Sequence, residues 1–191
     1  MTSKKSMVQT ESHVCPWWVA YTFDNPLRRI FHNPRKMLSP YVKEGMRVMD
    51  VGCGMGYFSI GMAKIIGETG KVIAVDLQQK MLDTMQKRAR RAGLQDRIYP
   101  HLCQPNDIGV TEDVHFILNF WMVHEVNDQQ VFFSQLKARL VPGGHILIAE
   151  PKMHVTLEDF QVTLEIAESS GLQVSGQPLI RFSRTVLLAN L

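Results

Sequence analysis

Val48-Met49-Asp50-Val51-Gly52-Cys53-Gly54-Met55-Gly56-Tyr57-Phe58 reads as a strand, a glycine-rich turn and the start of a helix. Arg47 to Val51 is a short apolar run with one acid near its end, as a buried parallel strand requires. Gly52, Gly54 and Gly56 then alternate with other residues, which lets the backbone turn sharply and approach a ligand without Cβ interference. After the turn, Phe58, Ile60, Met62, Ala63, Ile65 and Ile66 fit a helix that packs back onto a sheet. A second strand, Lys71 to Asp76, ends in an acid. A carboxylate at that point accepts hydrogen bonds from both hydroxyls of a ribose. The pattern points to an adenosine-type cofactor.

The dinucleotide fingerprint G-x-G-x-x-G serves a pyrophosphate seated on a helix N-terminus. Here the spacing is G-x-G-x-G, and Tyr57 stands where a dinucleotide site places its third glycine. Asp50 would repel a pyrophosphate and suits a cationic ligand instead. S-adenosylmethionine carries a sulfonium and an ammonium and has no phosphate. On these residues the chain resembles the class I S-adenosylmethionine-dependent methyltransferases, of the small-molecule, ubiquinone-biosynthesis-like type. Asp50-Val51-Gly52-Cys53-Gly54-Met55-Gly56 is similar to their first motif, and Ala74-Val75-Asp76 to their second.

Composition sets outer bounds. The 191 residues suffice for one domain with a full core, and 45% hydrophobic with 20% charged residues is ordinary for a globular protein. A formal charge of +3 does not by itself argue for nucleic acid or a membrane. No apolar run is long enough to span a bilayer, and the polar start, Met1 to Ser12, lacks the apolar block of a signal peptide. Cys15, Cys53 and Cys103 form neither a close pair nor a zinc spacing, so no metal site is expected, and thiols without a framework suit a reducing cytoplasm.

The remaining chain alternates strand and helix. Asn33-Pro34 is a helix entry, with the asparagine as cap and the proline in the first turn. Helices are expected over residues 78–92, 128–140 and 156–169, and further strands over 97–102, 113–120, 145–149, 172–175 and 181–189. Leu140-Val141-Pro142-Gly143-Gly144 reads as a helix-ending turn. This order predicts an α/β doubly wound, seven-stranded, mostly parallel sheet with helices on both faces and an antiparallel last strand. The resemblance implies the same Rossmann-like layout. Residues 38–191 are expected to form the core domain, and residues 1–37 a tail with an aromatic-rich lid.

In such a sheet the ligand lies beyond the carboxyl ends of the strands, at the switch point between the first and fourth. The resemblance implies that Asp50, Gly52, Cys53, Gly54 and Gly56 border the methionine portion. Asp76 would hold the ribose, with Leu77 on the adenine face. Gln104 stands where the family commonly has an acid for the adenine amino group; its amide oxygen can still accept that bond. Asn119 and Phe120 would border the methionine end and the sulfonium. His124, whose ordinary pKa lies near neutrality, is the candidate general base, and Glu125 would orient it or the substrate. Trp17, Trp18 and Tyr21 are candidates for one wall of the substrate pocket.

The expected activity is methyl transfer from S-adenosyl-L-methionine to an O, N, S or C nucleophile of a small molecule. The little sequence beyond core and lid argues against a nucleic-acid or protein acceptor, and self-association stays open. Two rivals stand beside this reading: a non-catalytic cofactor-binding subunit of a complex, and an RNA methyltransferase acting through the basic face Lys87, Arg88, Arg90 and Arg91.

Overall fold

The structure is a computed structural model and describes residues 28–191. A short helix α1 (Arg28–Phe31) and α2 (Pro34–Leu38) precede the alternating unit. There follow β1 (Arg47–Val51), α3 (Tyr57–Ile65), β2 (Lys71–Asp76), α4 (Gln79–Arg91), β3 (Ile98–Leu102) and β4 (Val114–Phe120). The second half holds α5 (Gln129–Arg139), β5 (Leu140–Pro151), α6 (Leu157–Ser169), β6 (Gln173–Gly176) and β7 (Ser183–Ala189). All seven strands form one sheet in the order β3-β2-β1-β4-β5-β7-β6. Only β7 runs against the others, pairing antiparallel with both β5 and β6. This is the doubly wound sheet that the alternating pattern predicts, and β1 and β4 meet at its switch point.

Each face of the sheet carries its own apolar layer. Leu38, Phe58, Met62, Leu82 and Met85 cover one face from α2, α3 and α4. Phe133, Leu136, Phe160, Leu164 and Ala167 cover the other from α5 and α6. The central strands are therefore buried on both sides, which is why β1 and β2 read as apolar runs rather than alternating ones.

Helix starts follow the local chemistry. The Asn33 side chain accepts from the Lys36 amide, Asp128 accepts from the Val131 amide, and Thr156 with Asp159 forms a reciprocal capping box. The expected turn at residues 140–144 is instead the start of β5. Leu140 pairs with Val114 across a bulge, and Asn190 holds Gly143 and Gly144 through backbone bonds, so the segment stays extended despite Pro142. Among the described residues there are also 3₁₀ turns at Gln95–Arg97 and Val123–Glu125; the first takes up Arg97, which the pattern assigns to the start of β3.

Candidate active site

The glycine loop leaves β1 and folds back on β2. The amides of Gly52 and Cys53 both donate to the Val75 carbonyl, at 2.9 and 3.0 Å. Gly52 and Gly56 have φ of +71° and +80°, a region that side chains avoid. A Cβ on Gly56 would lie 2.3 Å from Met85 Cγ, and one on Gly52 would lie 2.9 Å from Met122 Cγ. One glycine thus lets α3 and α4 close together; the other lets the loop meet the segment after β4.

Asp76 ends β2 with its residue only 7% exposed. Its Oδ2 accepts from the Gly54 amide at 2.8 Å, and its Oδ1 from the Gln78 amide at 2.9 Å. Burial raises its pKa, and the amides of Gln78, Gly54 and Leu77 partly offset that rise. The carboxylate therefore ties strand end to loop while keeping acceptor capacity. Leu77 beside it is 38% exposed, an apolar side chain at the mouth of the site. Asp50 is buried and accepts from Ser59 Oγ at 2.5 Å, which joins β1 to the first turn of α3. Cys53 is buried among these acids, and burial followed by the Asp50 and Asp76 charges pushes its thiol well up, so it is a neutral small residue here. In the β3 loop, Gln104 and Asp107 exchange backbone hydrogen bonds at 2.9 and 3.2 Å, and the Gln104 side chain is exposed.

The other half of the site grows from β4 and β5. Asn119 has no exposed surface, and neither atom of its amide has a hydrogen-bond partner among the described residues. Such an orphan, buried near the carboxyl end of a central strand, costs about 1–3 kcal/mol per group, so it calls for a reason. Beyond it, Trp121 adopts φ +59°, a strained value for a bulky side chain. That kink is held by the Trp121 amide on Ala149 O at 2.7 Å and by Nε1 on Ser183 Oγ at 2.9 Å. The 3₁₀ turn that follows sits on Glu150, a carboxylate 1% exposed at the end of β5. Glu150 Oε1 accepts from the amides of Met122 and Val123, at 3.0 and 3.1 Å. Its Oε2 accepts from the His124 amide at 3.1 Å and from His124 Nδ1 at 2.5 Å.

His124 keeps 29% of its side chain exposed. Burial works to lower its pKa, but the Glu150 hydrogen bond and charge, with the charge of Glu125 added, raise it on balance above 6.5. Glu125 is not the carboxylate on the ring nitrogen: neighbours on a tight turn point apart, and Glu150 reaches Nδ1 from the adjacent strand. Phe120 is buried in an aromatic group with Phe58 at 4.4 Å and with His32 and Trp121 at 5.2 Å between ring centres.

The fold thus gathers Asp50, Gly52, Cys53, Gly54, Gly56, Asp76, Leu77, Asn119 and Phe120 at neighbouring carboxyl ends of β1, β2 and β4. Gln104 lies on the β3 loop at the outer side. Trp17, Trp18 and Tyr21 lie outside the described residues. Glu150 escaped the sequence reading; the one trace of it is an acid at the end of a strand otherwise built of Ile146-Leu147-Ile148-Ala149. Among the described residues no cluster of His, Cys, Asp or Glu could hold a metal ion. No helix among them is long and apolar enough to cross a membrane.

Known proteins place this architecture. The methyltransferase domain family model matches residues 42–176. Protein-L-isoaspartate O-methyltransferase of Thermotoga maritima is 29% identical over 105 residues, 55% of this chain and 31% of that protein. Demethylmenaquinone methyltransferase of Lactobacillus johnsonii is 44% identical over 110 residues, 57% of this chain and 45% of that protein. The matched region therefore spans less than half of these curated relatives. A crystal structure of an S-adenosylmethionine-dependent methyltransferase from Aquifex aeolicus superposes with TM-score 0.82 and 26% identity, over 92% of this chain and 99% of that one.

Proposed function

This chain belongs to the methyltransferase domain family, and from that premise we propose that it transfers a methyl group from S-adenosyl-L-methionine to a small-molecule nucleophile. The observation that carries the reading is the buried Asp76 carboxylate, locked to the glycine loop through the Gly54 amide and opening beside the exposed Leu77. Residues 38–191 are the unit that performs the transfer.

The residues fit the donor. Asp76 would take the ribose hydroxyls, Leu77 the adenine face, and Gln104 the adenine edge. The loop from Gly52 to Gly56 approaches without side chains at the positions nearest β4, and Asp50 lends negative charge beneath a ligand that carries two positive ones. The orphaned Asn119 amide offers a donor and an acceptor to the amino-acid end. Phe120 presents an aromatic ring of the kind that suits a sulfonium. Bound there, S-adenosylmethionine supplies an electrophilic methyl group. The protein has to align the acceptor with it, exclude water and, where the acceptor is protonated, remove a proton. His124, with the charge of Glu125 near it, is the base at hand. Small-molecule acceptors are supported by the similarity to the demethylmenaquinone enzyme, and the free thiols of Cys53 and Cys103 suit a cytoplasmic setting.

Isothermal titration with S-adenosylmethionine, S-adenosylhomocysteine and NAD tests the reading. The expected result is binding of the first two and not of NAD. Asp76→Ala should weaken both by about a hundredfold or more, since two hydrogen bonds to a charged group carry about 1.5–3 kcal/mol each. Binding of NAD alone, or of none of the three, would overturn it.

A further inference from the structure

Two acids, Glu125 and Glu150, act on His124, and Glu150 hydrogen-bonds its ring directly. Glu150 is only 1% exposed and is held by four hydrogen bonds, three from consecutive amides of the turn that carries His124 and one from Nδ1 itself. Those bonds set both the place of the turn and the tautomer of the ring. With Nδ1–H committed to the carboxylate, a neutral His124 has its lone pair on Nε2. No hydrogen bond to Nε2 forms among the described residues, and the side chain keeps 29% of its surface open. The ring of His154, from the segment after β5, stacks on it with 6.2 Å between ring centres and 13° between planes. Groups facing His124 are thus Glu150 from β5, His154 beyond β5 and Glu125 on its own turn. Burial of a carboxylate beneath a partly exposed imidazole, with that carboxylate also holding the loop that carries the ring, is the arrangement in which a histidine is oriented and its charged form stabilised.

We propose that Glu150 and His124 form a proton-accepting pair, with Glu150 the positioning residue and His124 Nε2 the atom that takes a proton from a hydroxyl or enol acceptor. This rests on the methyl-transfer reading and narrows its acceptor. A neutral amine already presents a lone pair and releases its proton after transfer, whereas a phenol, alcohol or enol must lose its O–H or C–H proton as the new bond forms. In that step the acceptor's O–CH₃ or C–CH₃ bond forms and the donor's S–CH₃ bond breaks. The electron pair of the broken bond stays on sulfur, and the acceptor proton passes to Nε2 and then to water. No oxidant or reductant is needed.

The test uses the full chain and begins without any acceptor. Long-range ¹H–¹⁵N spectra of the imidazole report tautomer and titration of His124 in wild type and in Glu150→Gln, which retains an oxygen for the Met122 and Val123 amides. The expected result is an Nδ1–H tautomer in wild type and about a tenfold loss of proton affinity in the variant, with unchanged affinity for S-adenosylhomocysteine. An Nε2–H tautomer, or identical titration in both proteins, overturns the pair. Phenolic and enolic probes are then compared with primary amines as acceptors. Turnover of the former should fall about a hundredfold or more in His124→Gln at unchanged KM. Methylation confined to amines and indifferent to His124→Gln overturns the acceptor class. Failure of S-adenosylhomocysteine to bind either protein overturns the cofactor reading instead, while the spectra still decide the pair.

Discussion

The two halves of the site are built in opposite ways. The β1–β2 half is closed by its own neighbourhood: the loop amides find Val75 O and the Asp76 carboxylate, and Asp50 finds Ser59. The β4–β5 half is closed from a distance, by Glu150 beneath a turn that begins 28 residues earlier in the chain, and it leaves the Asn119 amide without a partner. The first half is satisfied by hydrogen bonds within itself, while the second holds a strained backbone and an unmet polar group. Trp121 at φ +59° and the orphaned Asn119 lie in that second half, within three residues of one another.

Substitutions should separate the halves by what each loses. Glu150→Ala is expected to have the largest effect on stability, about 3–5 kcal/mol in urea denaturation, because three amides and an imidazole lose a buried charged acceptor together. A loss under about 1 kcal/mol would mean that water enters and replaces the carboxylate. Gly56→Ala should cost about 2 kcal/mol or more, since a φ of +80° is unfavourable for alanine and the added Cβ meets Met85. Asn119→Ala carries opposite signs in two measurements. The unliganded protein should be unchanged or more stable by about 1 kcal/mol, as a buried unpaired amide is removed, while affinity for S-adenosylhomocysteine falls about tenfold. Destabilisation without loss of affinity would make Asn119 a packing residue.

The smallest effect is a pH dependence. The folded pKa of His124 lies above its ordinary 6.5, so the pair's contribution to stability is complete below about pH 6.5 and is lost as pH rises through the folded value. Denaturation midpoints of wild type should therefore decline between pH 6 and the weakly alkaline range by more than those of Glu150→Gln. Parallel curves would show that the pair does not titrate with folding.

The same contrast explains what was legible in the sequence. The glycine turn after β1, the acid that ends β2 and the cap Asn33 are legible because their partners lie within a few residues or at a spacing set by one β-α-β unit. The sheet order follows from alternation together with right-handed crossovers. Glu150 was not legible as a partner of His124, because its role depends on the β4–β5 register that sets Phe120 opposite Ala149. Only that pairing carries the next residue of β5 under the turn. The early start of β5 escaped for a related reason: Pro142-Gly143-Gly144 carries turn chemistry, and its extended path is imposed by Asn190 from the far end of the chain. The positive φ of Trp121 runs against the preference of its own side chain, so no local signal announces it.

The most direct test of the central claim is a crystal structure of the full chain with S-adenosylhomocysteine. The expected result is the ribose hydroxyls on Asp76, the adenine against Leu77, and the amino-acid end within hydrogen-bond reach of the Asn119 amide, with the thioether sulfur toward Phe120. A ligand seated elsewhere, or seated there with Asn119 still unpartnered, would contradict it.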